Sequence, residues 1–340
     1  MLDLWLDRAA GPMHSLHFAF GVGAMIAPQI ANPFLSPDAK SQDDSLTTAA
    51  PTTSSWNVTT EPKGESRIDI CYGIIAAIVF VYAFVVLTFY LKGAPRGFIL
   101  REPTEKLKEM IRPSLCGYGH SWYAVELLIM LFLYFIHTVG GEKAIGKFLF
   151  SFAVETEVQF TKDEASSLQT AFWGSFTAGR LLGIPIGRFL PVWIFILVDV
   201  LGATAAAITL SLYGYKNRVA LWVTSCFMGL FISVAFANGM AWSNVYLAMN
   251  NISVMILIIG GACGGFIYQY LSGYLFDINP KNLGYIMVGY SGAMVITFVI
   301  MQVLAKVHSK KILARTENAK VNEDAVPAAD NEGYTNSTQL

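Results

Sequence analysis

Charge is scarce in this 340-residue sequence: Asp, Glu, Lys and Arg make up 14% of it, against 54% hydrophobic residues and a mean hydropathy of +0.49. That balance excludes an ordinary soluble globule, which needs a charged surface to face water. The net charge of −1 comes with no basic stripe, so the electrostatic footprint of a nucleic-acid binder is missing too. The four cysteines, Cys71, Cys116, Cys226 and Cys263, include no CxxC pair. Three of them lie in apolar segments, so packing ranks ahead of metal binding or a disulfide. There is no nucleophile elbow, phosphate loop or metal-ligand spacing, so no catalytic residue is assigned and the chain is not expected to be an enzyme. No short basic leader precedes the first apolar segment, which polar residues interrupt, so no cleaved signal peptide is expected.

What the chain does have is a series of long apolar segments. A bilayer core takes roughly 20 apolar residues per helix, and segments at 12–34, 68–91, 121–152, 166–190, 191–213, 219–245, 252–276 and 283–305 qualify. The expected fold class is an all-α membrane protein with about eight transmembrane helices. The first segment is the weakest, because it carries His14, His17, Gln29, Asn32 and Pro33 and needs neighbours to bury its polar side.

Orientation follows from the loops. Lys92, Arg96, Arg101, Lys106, Lys108 and Arg112 lie between the second and third segments, and Lys306, Lys310, Lys311 and Arg315 follow the last. The positive-inside bias puts both groups in the cytoplasm. Both termini then lie inside and the Ser/Thr-rich loop 36–66 outside, where the sequon at Asn57 is open to glycosylation. The sequons at Asn251 and Asn336 fall on the cytoplasmic side and are read as chance matches. The stretch 103–111 reads either as a surface helix or as a solvated linker. The organisation expected is a two-span unit over 1–91, a cytoplasmic loop over 92–120, a six-helix unit over 121–305 and a disordered cytoplasmic tail over 306–340.

Ionisable residues inside a bilayer normally face the bundle interior and mark a pathway or a partner. Glu126, Glu142, Arg180 and Asp199 are such residues, with Lys143 and Lys147 close behind Glu142. Arg180 and Asp199 sit at similar depth, about 12–14 Å from the cytoplasmic end of their helices at ~1.5 Å per residue. The turn between those helices, near Leu190 and Pro191, is short enough to make them antiparallel neighbours, so the two are expected to pair, for transport or for structure alone. The third segment is long and holds Gly140 and Gly141 just before Glu142. Either the helix breaks there and Glu142 is an ion or proton site, or the membrane part ends near Val139 and Glu142 lies in a solvated loop. Sugars are commonly held by amides and an aromatic ring, and Gln169, Trp173, Asn238 and Gln269 would supply such groups from three different helices. Trp242 and Asn244 read as part of the interfacial aromatic belt. The pairs Gly260/Gly264 and Gly261/Gly265, and the cluster Gly21, Gly23 and Ala24, form small faces for close helix packing.

Two segments before the long basic loop and six after it resemble a transporter of two six-helix halves, with the first half represented by its end. The run Leu16, His17, Phe18, Ala19, Phe20, Gly21, Val22, Gly23, Ala24 on to Pro28, then Asn32, Pro33, Phe34, Leu35, Ser36, resembles the fifth helix of the sodium-dependent glucose transporter-like branch of the major facilitator superfamily. The run Phe172, Trp173, Gly174, Ser175, Phe176, Thr177, Ala178, Gly179, Arg180, Leu181 with Pro185 is similar to that branch's eighth helix, and Phe152, Ala153, Val154, Glu155 to the segment before it. The resemblance implies a major facilitator-type bundle lacking its first four helices. It also implies secondary transport of a hexose such as glucose by alternating access in the plasma membrane, with Na⁺ as coupling ion and no other cofactor. Its small-molecule partners would be the sugar and Na⁺. The alternative is a truncated, non-transporting membrane protein that binds partners or forms a homo-oligomer.

Overall fold

The computed structural model describes residues 10–35, 67–92 and 113–324. Loop 36–66 with its Asn57 sequon, and the stretch 103–111, lie outside the described residues. Those described are helical, with short connections and no strand. The helices are α1 (Ala10–Ala31), α2 (Ile68–Lys92), α3 (Ser121–Glu155), α4 (Lys162–Phe189), α5 (Val192–Thr209, continued by a π turn to Gly214), α6 (Arg218–Ile232), α7 (Ala235–Tyr246), α8 (Asn251–Ile278) and α9 (Asn282–Asp324), with single turns at Asn32–Phe34 and Pro113–Cys116. Helices α6 and α7 are the two parts of one span. Each of the eight expected segments is thus a helix, and six of them are long and apolar enough to cross a membrane. α9 runs through Asp324, well past residue 306, where the sequence suggests that a tail begins.

The axis of the bundle is α3, which packs most extensively on α8 and also on α9, α4 and α7. Its buried positions Leu127, Leu131, Tyr134, Phe135, Ile145, Leu149 and Phe152 recur at helical spacing and form one apolar stripe. In a bilayer, helices gain no hydrophobic advantage by meeting one another, so close van der Waals approach matters more. The α3–α8 seam shows this. A Cβ at Gly264 would collide with the backbone carbonyl of Ile136, and one at Gly260 would lie 2.8 Å from the Phe132 carbonyl.

Gly140 and Gly141 do not break α3, which is continuous over 35 residues. Their bare backbone lets two aromatic rings lie against the helix: a Cβ on Gly140 would strike Tyr268 of α8, and one on Gly141 would strike Tyr290 of α9. The break lies elsewhere, at Ser233 and Val234 between α6 and α7.

The weak first segment finds its partners on α4. Gln29 donates to the Thr170 hydroxyl at 2.9 Å, Asn32 to Asp163 at 2.8 Å, and Ser166 donates to the Pro28 carbonyl at 3.0 Å. By contrast α2 carries no charge between Asp69 and Lys92, and Cys71 is its one buried residue among those described. At one end of the bundle the connections are tied together. Thr161 and Glu164 form a capping box, Arg218 reaches Glu164 at 2.8 Å and the carbonyls of Val158 and Gln159, and Lys281 pairs with Glu157 at 2.6 Å. The Thr161 backbone amide and the Arg218 guanidinium hold the Glu164 carboxyl below the usual carboxylate range, and Glu157 pushes the Lys281 amine up.

The seam gives a direct expectation. Gly264→Ala should lower stability by about 1–3 kcal/mol, because a rigid carbonyl cannot yield to the added methyl, while Gly292→Ala, which has nothing within 4 Å of the new atom, should leave it unchanged or slightly higher. Thermal unfolding in detergent reads the difference, and equal effects would contradict the packing assignment.

Candidate functional site

Glu142 sits one residue past the two glycines, on the buried stripe of α3. Close packing of Tyr290 on Gly141 shields it on one side, and its side chain is 10% exposed. Arg180 of α4 faces it at 4.0 Å, and Lys143 lies 3.9 Å away with a more exposed head. A buried carboxylate without a cation is costly, and Arg180 places a cation opposite Glu142. Arg180 is itself fixed on three sides. Its guanidinium stacks 4.3 Å over the Phe176 ring, lies 5.5 Å from the ring of Phe20 in α1, and donates through Nε to the Ser233 carbonyl at 3.2 Å. That carbonyl is available because the α6–α7 break interrupts the regular helical ladder at this point. The Ser233 hydroxyl turns back to the Leu230 carbonyl at 2.6 Å.

The expected Arg180–Asp199 pair does not form. Asp199 instead accepts from the Asn238 amide at 2.7 Å. The reason is topological: although the α4–α5 connection is short, α4 packs on α1, α6 and α3, whereas α5 packs on α6, α9 and α7. α6 stands against both and keeps the two charges on separate sides.

Of the four residues expected to hold a sugar, two are neighbours. Gln169 donates to the Gly146 carbonyl at 2.6 Å, and the Trp173 indole lies over the same glycine, edge-on to Phe172 and Phe176. Both line a cleft of about 430 Å³ with Ala24, Ala27, Pro28 and Phe150, between α1, α3 and α4. Asn238 lies apart, with Asp199. Gln269 is half-buried on α8 and makes no hydrogen bond among the described residues. Glu126 is remote from all of these, 3.5 Å from His308 at the opposite end from the Arg218 cluster.

Trp242 is not an interfacial residue. It is wholly buried and donates to Gln302 at 2.8 Å, whose amide in turn reaches the Tyr246 hydroxyl at 3.3 Å, while Asn244 is exposed. Two features of the site escaped the sequence reading. Phe20 lies near both Arg180 and Lys143, at 5.5 and 5.4 Å. His137 and the Tyr268 hydroxyl are 2.8 Å apart beside a further cleft of about 510 Å³ between α3, α8 and α9. An aromatic residue among apolar neighbours carries no mark of a cation above it, so Phe20 had no signal of its own. His137, inside an apolar run, did.

Arg180→Lys tests the geometry rather than the charge. It keeps the cation but loses the planar stack on Phe176 and the fixed Nε donor, and should cost about 2 kcal/mol for a desolvated stack. A loss too small to measure by thermal unfolding would contradict the role given to Phe176 and Ser233.

No family model matches the chain. It is 26% identical over 332 residues to human sodium-dependent glucose transporter 1, an alignment covering 95% of this chain and 61% of that protein. It is 28% identical over 307 residues to mouse sodium-dependent glucose transporter 1A, covering 90% and 70%. Human major facilitator superfamily domain-containing protein 4A is 28% identical over 190 residues, covering 56% and 36%. The chain therefore spans about three-fifths of the length of the human glucose transporter relative. Among solved structures it is similar to the crystal structure of a major facilitator superfamily transporter, FucP, in the outward conformation, at 16% identity and a TM-score of 0.46 over 85% of this chain and 69% of that one. The chain is a multi-pass helical membrane protein homologous to sodium-dependent glucose transporter 1 and to major facilitator superfamily domain-containing protein 4A.

Proposed function

We propose that the chain carries a hexose such as glucose across the plasma membrane by alternating access, with Na⁺ as the coupling ion and both termini in the cytoplasm. The observation that carries this reading is the Glu142–Arg180 pair, buried where α1, α3, α4 and the α6–α7 break converge. An ionic pair at that depth makes the local charge balance sensitive to an arriving cation. Na⁺ drawn to the Glu142 carboxylate competes with Arg180 for it, and a freed guanidinium is a donor for sugar hydroxyls. The neighbouring cleft is lined by the Trp173 indole and the Gln169 amide, an aromatic ring and an amide of the kinds suited to a sugar's apolar face and its hydroxyls. The names of the relatives support the choice of sugar and ion. In this orientation loop 36–66 lies outside and Asn57 carries a glycan.

A second reading, a non-transporting protein that dimerises or binds a membrane partner, is favoured by α2, whose apolar side chains are exposed on every side. Molecular mass in detergent tests its dimer form, which a monomer would remove.

The test of the first reading is uptake of labelled glucose by liposomes holding the full chain. Uptake should be faster with Na⁺ than with K⁺, and Glu142→Gln should reduce the Na⁺ rate to the K⁺ rate while leaving insertion unchanged. Uptake by the Gln variant that still responds to Na⁺ would remove Glu142 from the coupling role.

A further inference from the structure

Asp199 is the second carboxylate buried in the spans, and neither the sugar nor the Na⁺ chemistry uses it. It is 4% exposed. Among the described residues no Lys, Arg or His lies within ion-pair distance of it, and the Asn238 amide at 2.7 Å is its hydrogen-bond partner. The space beside it is only about 10 Å³ and its walls are mostly carbon: Val200, Ala203, Phe231, Ile232 and Met294. The groups that face it from neighbouring helices carry no charge. From α9 come Tyr290 and Ser291, which line the same space. From α3 comes Tyr134, whose hydroxyl is given to the Ala235 carbonyl on the cavity wall at 2.9 Å. α6 contributes Phe231 and Ile232, and α7 contributes Ala235 and Asn238.

An ionised carboxylate enclosed by carbon, with one neutral donor, has lost its hydration and gained no countercharge. A metal cation needs several oxygen ligands around it, and this space has neither the ligands nor the volume. A proton needs only the carboxylate itself. Asn238, the residue bonded to Asp199, also lines a second cavity of about 30 Å³ together with Arg180 and Ser233. That is room enough for water, with polar groups to hold it. We propose that Asp199, bonded by Asn238, is a proton-binding site separate from the Glu142–Arg180 pair and reached through the cavity at the α6–α7 break. The chemistry is a simple association: a proton from water adds to a carboxylate oxygen and leaves by the same path.

The site does not rest on sugar transport, and its test does not use it. Infrared spectra of the full chain in lipid nanodiscs at neutral pH should contain the carbonyl band of a neutral carboxylic acid. Glu142→Gln should retain that band and Asp199→Asn should abolish it. Asn238→Ala, which removes the amide partner without touching the acid, should move the band to higher frequency and so serves if the Asp199 variant fails to fold. A wild-type spectrum without the band, a band that persists in Asp199→Asn, or one unmoved by Asn238→Ala would each overturn the proposal.

Discussion

A carboxylate inside a bilayer must be balanced by a cation or a proton, and the arrangement around Glu142 follows from that requirement. Gly140 and Gly141 bring the rings of Tyr268 and Tyr290 onto α3, which encloses the position that follows them. Enclosure removes water from Glu142 and so makes Arg180 necessary. Arg180 reaches it from α4 only because Phe176 supports the guanidinium from below and the interrupted span at Ser233 presents a carbonyl to its Nε. The break in the helix, the aromatic stack and the ion pair are therefore one structural feature distributed over three spans.

The remainder of the bundle holds that feature in register. α3 is pressed on α8 along a seam where glycine is needed against backbone carbonyls. Ionic and capping contacts among Glu157, Thr161, Glu164, Arg218 and Lys281 tie one end. Toward the other, Tyr123 donates to the Tyr246 carbonyl, and Cys116 and Ser253 lie 2.8 Å apart. Helices fastened at both ends are held together as one packed unit.

The spans were legible in the sequence because lipid demands long apolar segments, and the observed bounds lie within a few residues of the expected ones apart from the start of α4 and the end of α9. Gln29 and Asn32 were also legible: polar groups in a weak span require partners, and α4 provides them. That Glu142 and Arg180 turn into the bundle could be read from their charge, but not their pairing. A short connection between α4 and α5 suggested contact, yet connection length constrains only the ends of two helices, and α6 lies between the rest. A glycine pair likewise does not distinguish a break from a close approach. Which occurs depends on whether an aromatic ring arrives from another helix, here Tyr268 and Tyr290, and that information is not local to the pair. Trp242 was misread for the same reason, since its partner Gln302 is 60 residues away.

Glu142 and Arg180 answer each other inside the bundle, and a double-mutant cycle measures the coupling. Thermal unfolding of Glu142→Gln, Arg180→Gln and the double variant should show a large loss, about 3–5 kcal/mol, when Arg180 alone is removed and Glu142 is left uncompensated. The double variant should then be more stable than Arg180→Gln. Losses that simply add would mean that the two charges do not interact, and the account of the site would fail.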